Sequence, residues 1–182
     1  MPVSVALAAT LQLLLAATFV VMLVAFHFVG PRMQQAADAE ARRQGVPPAV
    51  LAEHGIVFAE GAWAFVVGYA IAAIVTALAC LNLAGNAAGQ LLSWIIEPLV
   101  MLGVGYVTTM QVFAARYTVR VLAKSADQRA RDIDAHKVIR VASATLPSWY
   151  RPVTVVRWIL ATLGSVLVMV LLAMPSATAY FR

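Results

Sequence analysis

A single cysteine, Cys80, occurs in this chain of 182 residues, and it sits inside an apolar run. An intramolecular disulfide and a cysteine-based metal cluster are therefore excluded, and Cys80 reads as a small packing side chain. Charge is scarce too. Only 12% of the residues are charged and 63% are hydrophobic, whereas a soluble domain is about a quarter charged and about half apolar. No basic residue precedes Arg32, and the stretch from Gly85 to Gln90 carries no charge at all. Also missing are a glycine-rich phosphate loop, a Ser/His/Asp arrangement and a zinc-protease motif. No enzymatic activity, cofactor or metal site is expected from such a sequence.

What is present is apolar sequence in blocks. Four runs, about 3–29, 61–84, 91–115 and 153–174, each reach the ~20 residues a helix needs to cross a ~30 Å hydrocarbon core. The runs lack the alternation of barrel strands, and an open sheet would leave N–H groups unpaired in lipid. The first run is too long for the ~7–15-residue apolar core of a signal peptide and has no basic residue ahead of it. It reads as a retained helix. The expected fold class is an all-α integral membrane protein, a four-transmembrane-helix bundle forming one domain over residues 1–182, with short amphipathic helices in loops 31–60 and 116–152.

Basic residues set the expected orientation. The two long loops and the start of the fourth run hold twelve of the thirteen basic side chains; only Arg182 lies elsewhere. By the positive-inside rule both loops face the cytoplasm and both termini lie outside. The net charge of +5 thus flanks membrane spans and does not indicate nucleic acid. The excess of arginine over lysine and the abundance of alanine match a GC-rich bacterial genome, hence a bacterial plasma membrane. The expected partners are the lipid bilayer and other membrane subunits or a second copy of the chain.

Within the loops, Met33–Gln44 has helical character with Asp38/Arg42 at i,i+4 spacing. Gly45 suits the position after its end, and Gly55 closes a second short helix, Ala49–His54. Glu60 precedes the second run, where a carboxylate meets the positive end of a helix dipole. In the second loop Ala135, Val138, Ile139, Ala142 and Leu146 recur at helical spacing opposite Lys137 and Arg140. That helix is expected to lie on the inner membrane face or to dock a partner. Asp127/Arg131 is a second i,i+4 pair, and Trp149 and Tyr150 form an interfacial aromatic pair. Asp132/His136 has ligand spacing, but two ligands are too few for a structural zinc.

Two constellations stand out in the apolar runs. Gly68, Ala72, Thr76, Cys80 and Ala84 repeat every four residues, a small-residue stripe along which another helix can pack closely. Gln12, Asn82 and Glu97 all fall toward the same end of their runs and form a candidate polar network. Glu97 is the one acid inside an apolar run, which makes it a functional candidate. Pro98 follows it, however, and proline favours the first turn of a helix. If the third helix starts there, Glu97 is an interfacial cap and Trp94 a belt residue. The leading functional expectation is a small accessory or scaffolding subunit of a membrane complex. The alternative is a small oligomeric transporter or channel component, although no internal repeat is visible.

Overall fold

The computed structural model describes residues 1–59 and 61–182. The expectation for Glu60 lies outside them. All regular structure among the described residues is helical: α1 (Val3–Arg43), α2 (Ala49–Glu53), α3 (Ala62–Leu83), α4 (Ala87–Val112), α5 (Ala114–Ala123), α6 (Gln128–Arg131), α7 (Ala135–Ser143), α8 (Tyr150–Ile159), a π-turn (Leu160–Gly164), α9 (Ser165–Ala173) and α10 (Pro175–Tyr180). Four helical stretches, α1, α3, α4 and Tyr150–Ala173, are long and apolar enough to cross a membrane.

The chain packs as two compact units. One comprises Met1–Leu23, Phe65–Val112 and Arg151–Arg182; the other comprises Val24–Ala64 and Phe113–Tyr150.

In the first unit two apolar clusters join the long helices. Leu15, Ala16 and Phe19 of α1 pack with Ala72 and Val75 of α3, Val100 and Val104 of α4, and Ala161 of the π-turn. Val5 and Ala8 pack with Val168, Leu172, Ala177 and Phe181. Large apolar side chains such as Leu7, Ile74, Leu99, Leu102 and Leu163 point outward, while Gln12, Asn82, Ser93 and Glu97 are buried. This distribution is the reverse of that in a soluble protein.

The second unit has its own core. Met33, Ala37 and Ala41 of α1, Val50 and Leu51 of α2, Leu122 of α5 and Val138 and Ala142 of α7 form one cluster. It explains two departures from the sequence reading. First, the first apolar run stops near Val29, but α1 continues through Gly30 and Pro31 to Arg43. Pro31 removes one backbone donor, at a cost of about 3 kcal/mol, but the i,i+4 row Met33, Ala37, Ala41 beyond it is buried and packing holds the helix together. Second, α7 forms with its apolar side inward: Val138 and Ala142 are fully buried. That side belongs to this unit's core and is not open to a membrane or a partner.

Helix ends in this unit follow local rules. Gly45 and Gly55 have φ of +77° and +70°. Val46 N donates to Ala41 O and Ile56 N to Leu51 O, which are helix-closing bonds that a glycine in the left-handed region permits. Neither expected i,i+4 ion pair forms. Asp127 caps α6, accepting from Arg129 N at 2.9 Å, and so lies before the helix whose geometry the pairing with Arg131 assumed. Asp38 accepts from Gln34 at 2.8 Å, and the ion pair of this region is Arg43–Glu40 at 3.0 Å. Asp134 caps α7. The Lys137 backbone N–H holds its carboxyl below the usual aspartate range, with a smaller contribution from the Lys137 ammonium.

Candidate functional site

Helix α4 begins at Ala87, with Pro98 inside it. Glu97 is therefore three turns into the helix rather than at its start, and the interfacial-cap reading does not hold. The start is set at the turn before it, where Asn86 Oδ1 accepts from Ala88 N at 2.9 Å and caps the helix better than Glu97-Pro98 would.

Glu97 is 1% exposed, as are Gln12 and Ser165; Asn82 and Ser93 are fully buried. Gln12 Nε2 donates to Glu97 Oε1 at 2.9 Å and to Ser93 Oγ at 3.2 Å. Asn82 Nδ2 donates to Gln12 Oε1 at 3.1 Å and to Ser93 Oγ at 3.0 Å. The Ser93 hydroxyl donates in turn to Gly89 O at 2.8 Å. Helices α1, α3 and α4 are thus tied together by side-chain hydrogen bonds that carry no net ion pair. From the fourth apolar stretch, Ser165 faces Glu97 without closing a hydrogen bond of good geometry.

Local structure explains these positions. Ser93 precedes Glu97 by one helical turn, so both lie on one face of α4. The π-turn at Leu160–Gly164 brings Gly164 and Ser165 together onto the buried side of their helix; π-turns of this kind recur at functional sites. Gly89 lets α3 and α4 approach. A Cβ there would lie 2.7 Å from Leu81 Cβ and 2.9 Å from both Asn82 N and Asn82 Oδ1. The same closeness leaves Asn82 Oδ1 without a donor among the described residues. The narrow crevice beside Glu97, bordered by Gln12, Leu15, Leu160, Gly164 and Ser165, has no room for a water molecule.

The small-residue stripe divides. Gly68 and Ala72 are buried, Thr76 is half-buried, and Cys80 and Ala84 are exposed. A four-residue step advances a 3.6-residue helix by about 40° beyond a full turn, so the repeat rotates off the buried face. Val75, Ala79 and Asn82 take its place.

Three groups escaped the sequence reading. Ser93 was accessible through its i,i+4 relation to Glu97. Ser165 is one small residue in a long apolar run, with no acid or amide one turn away to mark it. Arg157 reads as one of the basic residues flanking the spans, yet it is buried, donates to Gln111 Oε1 and stacks 5.3 Å from the Phe19 ring centre; no local pattern signals that. No protein family, curated protein or solved structure matches this chain.

The second unit holds a smaller constellation. His54 Nδ1 lies 2.8 Å from Val50 O and its Nε2 lies 2.6 Å from Ser125 Oγ. With Nδ1–H donating to the carbonyl, Nε2 accepts the serine proton. Ser125 Oγ also accepts from Asp127 N at 3.0 Å. The group orienting the histidine is a backbone carbonyl, where a nucleophilic triad has a side-chain carboxylate. The contact joins the end of α2 to the turn between α5 and α6.

Proposed function

We propose that the chain is a small non-enzymatic multi-pass protein of a bacterial plasma membrane, a four-transmembrane-helix bundle serving as an accessory or scaffolding subunit of a larger membrane complex. The observation that carries this reading is the interhelical polar network. Gln12, Asn82, Ser93 and Glu97 hydrogen-bond one another across α1, α3 and α4, and the crevice beside Glu97 has no room for water. Such an arrangement clamps helices together, as interhelical hydrogen bonds do in lipid. Membrane residence is supported by the outward-facing leucines and isoleucines around this polar centre. The exposed small residues Cys80 and Ala84 leave room for the backbone of a neighbouring helix. The basic loops favour both termini outside.

Purification of the full chain in mild detergent, with mass analysis of the intact particle, tests this. A stoichiometric complex with other membrane proteins is the expected result. A chain that runs alone, and that conducts protons or small ions when reconstituted into liposomes, sinks the proposal.

The second reading is a transporter or channel component, and one observation favours it: Glu97 is an acid buried at the meeting of three apolar helices. On that reading Glu97 carries a proton or holds a cation, and Glu97→Gln abolishes flux in the same liposomes.

A further inference from the structure

The basic residues of the second unit are not equivalent. The ion pairs among the described residues are Arg43–Glu40, Arg129–Asp127 and Lys137–Asp134. Arg116, Arg120 and Lys124 take part in none of them, and all three are exposed. They recur every four residues along α5 and its C-terminal cap. At ~100° per residue they share an arc of about 100° with Phe113 and Tyr117, both of which are exposed aromatics. The Arg116 guanidinium sits 5.8 Å from the Phe113 ring centre. Thr118 and Leu122, on the opposite side of α5, are buried. Helix α5 is therefore fixed to its unit by one face and presents on the other two aromatic rings and a row of three cations that no described carboxylate pairs. In the chain Phe113 directly follows Val112, the last residue of an apolar stretch long enough to cross a membrane, and Arg116 comes three residues later.

We propose that Arg116, Arg120 and Lys124, with Phe113 and Tyr117, form a binding face for anionic phospholipid headgroups. Guanidinium groups match phosphate oxygens in a two-pronged geometry. Successive cations about 5–6 Å apart along the helix can meet phosphates of neighbouring lipids. Aromatic rings at the headgroup level anchor such a face, and basic clusters directly following a span are drawn to anionic leaflets. The inference rests on the membrane reading above, and the test separates the two.

The full-length chain is reconstituted into nanodiscs containing equal amounts of phosphatidylcholine and phosphatidylglycerol. Incorporation into the discs reports the membrane reading. Native mass spectrometry of the released protein then counts retained lipids and reports the lipid face. Phosphatidylglycerol is expected to be retained in preference to phosphatidylcholine. Loss of each cation should weaken that preference roughly fivefold, so Arg120→Gln alone gives a measurable change. The triple variant R116Q/R120Q/K124Q should lose about a hundredfold with its helicity unchanged. The control R42Q/R43Q/K137Q removes the same charge elsewhere in the unit and should keep the preference. Millimolar inorganic phosphate should not displace the lipid. Retained preference in the triple variant, an equal loss in the control, or displacement by phosphate overturns the proposal.

Discussion

Gly89→Ala is expected to lower stability by about 1–3 kcal/mol, the range of overpacking a tight core. The added methyl has no soft neighbour. It meets Leu81 Cβ at 2.7 Å and the Asn82 backbone nitrogen at 2.9 Å, and neither can swing aside without moving α3. Displacing Asn82 also strains its bonds to Gln12 and Ser93. Gly103 in the same helix is the control, because a Cβ there has nothing within 4 Å. Gly103→Ala should raise stability by up to about 1 kcal/mol through helix propensity alone. Thermal unfolding in mild detergent, followed by circular dichroism and by monodispersity, measures both. If the two variants behave alike, the approach of α3 and α4 at Gly89 is not as close as described.

Gln12→Leu should be the most damaging change in the polar network. It removes the donor to Glu97 and Ser93 and the acceptor for Asn82. Each buried polar group left unpaired costs about 1–3 kcal/mol, so a loss of about 3–5 kcal/mol is expected. Glu97→Gln keeps an acceptor for Gln12 and should cost no more than about 1 kcal/mol. Replacing both Gln12 and Glu97 by leucine removes the pair together, and that double variant should be more stable than the sum of its single changes predicts. The same detergent melt reads the cycle. Additive losses would mean that Gln12 and Glu97 do not interact.

The candidate site sits partly within reach of sequence reasoning. Glu97 is conspicuous as an acid in an apolar run, and Ser93 follows from it by one helical turn. The orientation of Gln12 and Asn82 toward Glu97 depends on how α1 and α3 are rotated about their own axes, and composition carries no information about that rotation. The small-residue stripe shows the same limit. A strict four-residue repeat is conspicuous in print, yet over Gly68 to Ala84 it turns through about 160° and leaves the buried face.

By itself the sequence determined that the chain is helical, that four stretches are long and apolar enough to cross a membrane, and that glycines close helices at Gly45 and Gly55. Those properties depend on composition and on neighbours within a few residues, so they are written locally. The tertiary structure alone decided that α1 continues through Pro31, that the apolar face of α7 is covered by its own unit, that Glu97 is buried within α4 and does not cap it, and that Arg157 leaves the other basic residues for a place beside Gln111 and Phe19. Each of those outcomes is a competition between a local preference worth at most a few kcal/mol and packing against residues tens of positions away. Proline disfavours a helix by about 3 kcal/mol, and the apolar row beyond Pro31 outweighs it only because α2, α5 and α7 supply the side chains that bury it.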